Sequence, residues 1–210
     1  MAKTRVMIVE DQRLASKYLE LVLGSSERYE VVHSLQSAAF ADTYVLRGGV
    51  DLVLMDVLMA DGSDGLEAAR RIKRAAPQVK VVVVTSIPES SWLGRAHDLG
   101  VESFWYKEAS EESILEVLDR TVAGECVYPS SAPTTYVGHA KNDEFTEREL
   151  EVLRALVEGL SNAEIGQRLF LSVSTVKTHV QHLLDKTGLE NRTQLAVATR
   201  ASGLVVGCDR

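Results

Sequence analysis

The segment Gly159–Arg192 reads GLSNAEIGQRLFLSVSTVKTHVQHLLDKTGLENR, and it predicts two short amphipathic helices joined by a tight turn. Asn162 is the predicted N-cap of the first helix, which ends at Leu169. Ser172 is the predicted cap of the second helix, which spans Val173 to about Thr187 and ends before a glycine. Two helices joined in this way form a helix-turn-helix, so this part of the chain is predicted to be all-α.

The second helix is predicted to bury one face and to expose the other. The apolar residues that recur at helical spacing, and should therefore be buried, are Val173, Val176, Val180, Leu183 and Leu184. The residues on the opposite face and its flank are Ser174, Lys177, Thr178, Gln181 and His182. Hydroxyls, amides and cations of this kind contact base edges and phosphates. An ordinary helix face exposed to solvent has the same composition, so the alternative is a surface without a ligand. Residues 125–210 hold 9 Lys/Arg against 11 Asp/Glu, so their charge does not indicate a basic patch for nucleic acid.

A family resemblance favours nucleic acid over the solvated face. The stretch FTERELEVLRALVEGLSNAEIGQRLFLSVSTVKTHVQHLLDKTGLENRTQLAVATR, Phe145–Arg200, resembles the four-helix output domain of NarL/FixJ-type (LuxR-like) transcription factors, including its T-E-R-E, L-S-N-x-E-I and T-V-K-T-H-V motifs. In that family the helix with the last motif enters the DNA major groove. The resemblance implies base-edge or groove contacts from Lys177, Thr178 and Gln181, and phosphate contacts from Thr175 and Arg192. Gln181 stands where some relatives carry Lys.

Composition indicates a soluble chain with two domains. Its 210 residues are 45% hydrophobic and 25% charged, with a net charge of −7, and they suffice for two small cores. No apolar run approaches the ~20 residues needed to cross a bilayer, and the amino terminus, MAKTRVMIVEDQ, lacks the layout of a signal peptide. Cys126 and Cys208 match no metal spacing, so we expect reduced thiols and a cytoplasmic protein.

Residues 5–123 alternate strand-like and helix-like segments. The predicted strands are Val6–Val9, Val31–Val32, Leu52–Met55, Val79–Thr85 and Phe104–Tyr106. The predicted helices are Leu14–Leu23, Ala39–Arg47, Leu66–Ala76, Ser91–Leu99 and Glu111–Ala123. Apolar runs such as VKVVVV indicate parallel strands that are covered on both faces. Five such repeats predict an α/β fold, the flavodoxin-like doubly wound (βα)5 arrangement.

Polar residues lie at the carboxyl ends of four of these strands. Glu10 and Asp11 follow the first, Asp56 the third, and Lys107 the fifth, while Thr85 ends the fourth. Since the carboxyl ends of parallel strands meet at one edge, these side chains should converge there. Clustered carboxylates repel one another unless a hard cation such as Mg²⁺ joins them. An aspartate beside the cation can accept a phosphoryl group, with a lysine and a hydroxyl binding the phosphoryl oxygens.

Residues 4–123 also resemble a response-regulator receiver domain, through V-M-I-V-E-D, L-V-L-M-D-x-x-M, V-V-V-V-T-S and S-F-W-Y-K. The resemblance implies that Asp56 is the phosphoacceptor. Glu10, Asp11, Asp56 and the backbone carbonyl of Leu58 would hold Mg²⁺. Thr85, Lys107 and Phe104 would be the switch hydroxyl, the phosphate-binding cation and the switch aromatic. For Phe104, a core aromatic without a switch role is an equal alternative.

The loop after the predicted phosphoacceptor departs from the family pattern at two places. Ala60 stands where the family usually has proline, and Gly65 comes one residue later than its usual glycine. The loop ADGSDG thereby gains Asp61 and Asp64 beside the predicted metal site. We expect these changes to alter metal affinity or the lifetime of the phosphoryl group.

The segment between the two domains contains Pro129, Pro133 and several Ser and Thr residues, which predicts a linker. The predicted organisation is a receiver at 1–123, a linker at 124–142 and a DNA-binding domain at 143–210. We expect a sensor histidine kinase to phosphorylate Asp56, so that the protein forms a homodimer on double-stranded promoter DNA. By resemblance the last helix, around Thr193–Ala201, is a dimer surface; the alternative is simple packing against its own domain.

Two other functions remain open from the sequence. A phosphorylation-independent DNA-binding regulator could use its receiver only to dimerise, and no labelling of Asp56 by a small phosphodonor would favour it. A magnesium phosphatase with an aspartyl nucleophile commonly has a second aspartate two residues later, as general acid. That position is Leu58 here, so the chain is not expected to be a metabolic enzyme.

Overall fold

The computed structural model describes residues 2–89, 91–107, 109–110 and 112–205. The chain forms two compact units, one made of Met1–Ser86 with Trp92–Ser131 and one made of Ile87–Ser91 with Ala132–Arg210. Cys126 is an exposed free thiol, whereas Cys208 lies outside the described residues. Among the helices of these described residues, none combines the length and the hydropathy that crossing a membrane requires.

The first unit contains a five-stranded parallel sheet in the order β2-β1-β3-β4-β5, which is the predicted doubly wound arrangement. Its strands are β1 (Thr4–Val9), β2 (Tyr29–Leu35), β3 (Leu52–Met55), β4 (Lys80–Thr85) and β5 (Ser103–Tyr106). Its helices are α1 (Arg13–Gly24), α2 (Ala41–Leu46), α3 (Gly65–Ala75), α4 (Ser91–Asp98) and α5 (Ile114–Val122). Every predicted strand and helix of this unit is therefore present, with ends that differ by a few residues.

Both faces of β3, β4 and β5 and of the end of β1 are buried, as the apolar runs predicted, whereas the edge strand β2 is partly exposed. On one face, alternate residues such as Ile8, Leu54 and Val84 pack in a single cluster with residues of α1 and α5. The intervening residues, among them Met7 and Val83, are also fully buried. Because β3, β4, β5 and the end of β1 are covered on both faces, the polar groups that follow them lie at the carboxyl edge of the sheet.

The second unit is helical, with a small hairpin before the helices. Its elements are β6 (Tyr136–Val137), β7 (Ala140–Lys141), α6 (Glu147–Val157), α7 (Asn162–Leu169), α8 (Val173–Thr187) and α9 (Arg192–Ala201). A short 3-10 turn covers Asn142–Glu144. The predicted bounds of α8 and its Ser172 cap are confirmed, since the Ser172 hydroxyl accepts a hydrogen bond from the Thr175 N–H.

Two local predictions for the helix-turn-helix were wrong. The N-cap of α7 is Ser161 rather than Asn162, because the Ser161 hydroxyl accepts from the Glu164 N–H while the Glu164 carboxylate accepts from the Ser161 N–H. This reciprocal capping box outcompetes the neighbouring asparagine. Val173 is 45% exposed, although its spacing places it with the buried residues of α8. It is the first residue of the helix, and the buried cluster begins one turn later at Val176.

The segment predicted as a linker contains regular structure at both ends. Near its start, Val127 pairs with β5, since the Phe104 N–H donates to the Val127 carbonyl at 2.8 Å. Near its end lies the β6–β7 hairpin, whose His139 N–H donates to the Thr187 carbonyl at the end of α8, at 2.9 Å. Pairings of one or two residues are too short to leave an alternating hydrophobic pattern, so the sequence did not indicate them.

Gly138 allows the hairpin to approach α8 closely. Its φ is +60°, and a Cβ added there would lie 2.1 Å from the Thr187 carbonyl oxygen. Gly159 offers a matched comparison, because its φ is +85° but a Cβ added there would meet no atom within 4 Å. Substitution at either glycine should cost about 1–2 kcal/mol for the left-handed backbone. Only substitution of Gly138 should add to this cost a steric clash with the Thr187 carbonyl.

We expect Gly138→Ala to destabilise the second unit by about 1–3 kcal/mol more than Gly159→Ala does. Urea unfolding followed by far-ultraviolet circular dichroism measures this difference. Tryptophan fluorescence is the internal control, because both tryptophans, Trp92 and Trp105, belong to the first unit. Equal destabilisation by the two substitutions would contradict the close approach.

Candidate functional site

Three carboxylates meet at the carboxyl edge of the sheet. Glu10, Asp11 and Asp56 each place an oxygen within 4.8 Å of the others. The residues are brought together because β1 and β3 pair in register, and the Asp56 N–H extends the pairing to the Val9 carbonyl at 2.9 Å. Glu10 is 1% exposed and Asp56 is 6% exposed, so their charges interact with little screening by water.

The Lys107 ammonium joins two of these carboxylates. Its Nζ donates to Glu10 Oε2 and, at 3.0 Å, to Asp56 Oδ2. The backbone of Lys107 donates to the Thr85 carbonyl at 2.9 Å, which places the end of β4 beside it. Thr85 itself is fully buried. The structure therefore brings Glu10, Asp11, Asp56 and Lys107 into one cluster, with Thr85 at the adjacent strand end.

The cluster fits a hard cation. Asp11 Oδ1 is buried and has no hydrogen-bond partner among the described residues. A buried carboxylate oxygen without a partner is costly, and a divalent cation with oxygen ligands relieves that cost. Lys107 contacts Glu10 and Asp56, whereas Asp11, within the described part of the chain, receives a hydrogen bond only from the Ala60 N–H. Asp11 is therefore the carboxylate that most needs an added positive charge.

Burial and mutual repulsion shift the acidities of this cluster. Burial first, and then the charge of Asp56, raise the pKa of Glu10 to about 7, against the opposing effect of Lys107. Burial raises the pKa of Asp56 as well, again against Lys107. Burial alone would lower the pKa of Lys107, but the charges of Asp56 and Glu10 outweigh it and raise that pKa. The cluster is thus short of positive charge although it contains an ammonium.

The loop after Asp56 accommodates its extra residue as a tight hairpin. Leu58 and Asp64 form an antiparallel bridge, and the Gly62 N–H donates to the Met59 carbonyl at 2.9 Å. The displaced glycine, Gly65, is required where it lies, because a Cβ there would be 1.8 Å from the Asp56 carbonyl oxygen. The loop therefore returns to the sheet without displacing Asp56.

Phe104 lies inside the first unit. It is 1% exposed, and its ring centroid is 5.0 Å from that of Tyr106 and 6.3 Å from that of Tyr128. The Tyr128 hydroxyl donates to the Val101 carbonyl at 2.8 Å, and its ring packs edge-on against His97 of α4. Sequence reasoning missed Tyr128 because it falls in the predicted linker. An aromatic residue directly before a proline was the one sequence signal that could have indicated it.

The residues predicted to contact DNA lie mainly on one exposed part of α8. Lys177, Thr178 and Gln181 are exposed, and so is Thr175 in the first turn. The Thr178 hydroxyl donates to the Ser174 carbonyl, and the Gln181 amide donates to Asp185 at 2.9 Å. The structure therefore groups these four side chains on one surface, where bonds within the helix orient two of them.

Arg192 is placed differently from the other predicted contacts. It is partly buried at the start of α9, where its guanidinium donates to Asn162 Oδ1 at 2.8 Å and to the Leu160 carbonyl. These bonds hold the start of α9 against the start of α7. On α9, Leu195 is buried in the core whereas Val197 is 64% exposed. The helix thus packs on its own domain and also offers an apolar residue to solvent.

The family models match both units. Residues 6–119 match the model described as response regulator receiver domain, and residues 143–199 match the model described as bacterial regulatory proteins, luxR family. The chain is 35% identical over 198 residues to the response regulator protein VraR of Staphylococcus epidermidis, a match that covers 92% of this chain and 94% of the relative. VraR of Staphylococcus aureus is 34% identical over 200 residues, with the same coverage.

Solved structures show the same fold. The RcsB response regulator of Salmonella typhimurium matches with a TM-score of 0.56 at 21% identity, covering 96% of this chain and all of that one. ChrA, a response regulator of a heme-sensing two-component system, matches with a TM-score of 0.52 at 27% identity, covering 97% of this chain and all of that one.

This chain belongs to the response regulators that combine a receiver domain with a LuxR-type DNA-binding domain. It is a DNA-binding transcription regulator, and its family is one of regulators rather than of metabolic enzymes. The resemblance of both halves to such regulators is thereby confirmed, whereas the individual roles of the site residues stay predictions.

The raised pKa of Glu10 predicts how the metal-free receiver responds to pH. Its ordinary value is 4.5 and its folded value is about 7, so folding favours the protonated form. The associated stability is present below pH 4.5 and is lost as the pH rises through about 7. In EDTA, we expect the free energy of unfolding to fall by about 2–3 kcal/mol over this interval. Glu10→Gln should flatten the dependence.

Urea unfolding followed by tryptophan fluorescence at several pH values measures the effect. Both tryptophans belong to the receiver unit, so the signal reports on the correct domain. A wild-type receiver whose stability stays constant or rises between pH 4.5 and 7 would contradict the predicted sign.

Proposed function

We propose that a sensor histidine kinase phosphorylates Asp56, and that this modification controls dimerisation and promoter binding. The observation that carries the proposal is the arrangement around Asp56, a buried carboxylate with one oxygen on the Lys107 ammonium at 3.0 Å. The other oxygen, Oδ1, accepts from the Val57 N–H at 2.7 Å. These two contacts fix the plane of the carboxylate, which orients it for attack on a phosphoryl donor.

The reaction is a phosphoryl transfer between two side chains. An Asp56 oxygen attacks phosphorus, the bond from phosphorus to the kinase's histidine nitrogen breaks, and an aspartyl phosphate forms. Lys107 stabilises the charge on the transferred group, and the hydroxyl of Thr85 donates to one of its oxygens. Mg²⁺, held by Glu10, Asp11, Asp56 and the Leu58 carbonyl, would supply charge neutralisation and orientation when bound. Slow attack of water on the aspartyl phosphate would break the bond between phosphorus and the Asp56 oxygen, release inorganic phosphate and end the signal.

Phosphorylation changes what Lys107 and Thr85 contact. In the unphosphorylated chain, Lys107 bridges Glu10 and Asp56. A phosphoryl group on Asp56 would draw the Lys107 ammonium outward. Phe104 is three residues before Lys107 on β5, and its ring is already buried, so the described structure has this aromatic in its inward position. We propose that its contact with Tyr128 carries the change to the start of the linker. In this proposal, the added charge on Asp56 shifts the equilibrium between two arrangements of the residues around it.

Dimerisation compensates for the weak charge of each DNA-binding domain. Residues 125–210 carry a net charge of −2, so one domain gains little affinity from phosphate neutralisation. Two recognition helices would bind half-sites about one DNA turn apart and would add their affinities. The exposed Val197 of α9 supports a contact between two such domains. RcsB, which shares the fold, has been seen bound to promoter DNA in the presence of the phosphomimetic BeF3−.

Labelling with acetyl phosphate tests the phosphoacceptor. In Mg²⁺ the wild-type chain should gain one phosphoryl group by intact mass spectrometry, and Asp56→Asn should gain none. Asp61→Asn is the matched control, because Asp61 is an exposed carboxylate of the same loop whose turn an asparagine also supports. An unlabelled wild-type chain would instead favour regulation without phosphorylation. Labelling of Asp56→Asn would assign the phosphoryl group to another residue.

Substitution of Lys177 tests the DNA-binding surface. Lys177→Ala should weaken binding to a duplex selected by the wild-type protein about tenfold or more, because a cation on the groove-facing surface is lost. Lys141→Ala is the control, since this exposed lysine lies in the hairpin at the opposite end of α8. Fluorescence anisotropy at several salt concentrations gives both affinity and salt dependence. An equal effect of the two substitutions would place the interface elsewhere.

A further inference from the structure

Ala60 occupies a defined position in a β-turn. The Gly62 N–H donates to the Met59 carbonyl at 2.9 Å, which makes Met59–Gly62 the turn and Ala60 its second residue. The bridge between Leu58 and Asp64 holds the two arms of the loop around this turn. The hydrogen bond that closes such a turn uses the N–H of its fourth residue. The N–H of the second residue is therefore available to bond outside the turn.

That N–H binds one oxygen of Asp11. The Ala60 N–H donates to Asp11 Oδ2 at 2.5 Å, whereas Asp11 Oδ1 is buried without a hydrogen-bond partner among the described residues. One oxygen of the carboxylate is thus occupied by the loop, and the other is left for a ligand. Glu10 and Asp56 each place an oxygen within 4.8 Å of this carboxylate.

We infer that the Ala60 backbone N–H is a positioning group for the magnesium site, one that holds Asp11 with Oδ1 directed to the cation. The inference rests on the proposed Mg²⁺ site and names a determinant of its affinity. The group belongs to the altered loop of this chain, because the proline usual at this position in receivers has no N–H.

Two physical effects make the bond matter. A backbone N–H bound to a carboxylate is a charge-assisted hydrogen bond, stronger than one between neutral groups. It also fixes the orientation of the partly exposed Asp11 side chain. Loss of such an outer partner typically lowers metal affinity 10–100-fold. We expect an effect of about tenfold here, at the lower end of that range.

Ala60→Pro removes this donor without disturbing the turn. Proline is favoured at the second position of the common β-turns, so the loop should keep its shape. Ala60→Gly is the matched control, because it also changes the residue but keeps the N–H. Thermal unfolding in EDTA verifies that both variants are folded, and Asp11→Asn shows the consequence of losing the ligand itself.

Titration of the full-length, unphosphorylated chain with MgCl2 by isothermal calorimetry gives the dissociation constant. The expected result is about tenfold weaker binding by Ala60→Pro, with Ala60→Gly within twofold of wild type. Equal or tighter binding by the proline variant would overturn the inference while leaving the metal site intact. Equal weakening in both variants would assign the effect to the loop rather than to the N–H. A wild-type chain that binds no Mg²⁺ would overturn both the inference and the proposed metal site.

Discussion

The charge balance at the carboxyl edge of the receiver sheet is the constraint on which the rest of the site depends. Glu10, Asp11 and Asp56 bring three carboxylates together, and Lys107 supplies one ammonium. The cluster therefore carries an excess of two negative charges when all four groups are ionised. Burying such an excess is costly, and protonation of Glu10, whose pKa is raised to about 7, relieves only part of it. A divalent cation would match the excess, and the proposed phosphoryl group on Asp56 would disturb the balance again.

The fold supports the proposed role of this cluster as a switch. Parallel strands buried on both faces deliver Glu10, Asp56 and Lys107 to one edge with little freedom to move apart. A change in charge must then be absorbed by the groups that can move, the Lys107 side chain and the loops around it. The DNA-binding domain adds a second constraint. Its negative net charge predicts weak binding by a single copy, so the proposed control of dimerisation would be an effective way to control occupancy of DNA.

The sequence predicted most of this architecture because strand ends and helix caps are local signals. The apolar runs located every strand of the receiver, and Ser172 located the start of α8. What the sequence could not predict depends on three-dimensional neighbours. Ser161 and Asn162 are both good caps, and the choice between them rests on the reciprocal bond to Glu164.

The same limit applies to the candidate sites. The phosphate contact of Arg192 stays a prediction, but its bonds to Asn162 and the Leu160 carbonyl could not be read from the sequence, because the fold brings these groups together. The replacement of proline by Ala60 was visible in the sequence. Its consequence, a backbone donor on Asp11, required the geometry of the turn.

Light scattering after size exclusion, in Mg²⁺ with and without beryllofluoride, tests the central claim most directly. Beryllofluoride coordinates the acceptor aspartate as a phosphoryl mimic, so it changes the charge balance without a kinase. The account predicts a shift from monomer to dimer in the wild-type chain and no shift in Asp56→Ala. A wild-type chain that binds beryllofluoride and keeps the same mass, or an Asp56→Ala chain that still shifts, would contradict it.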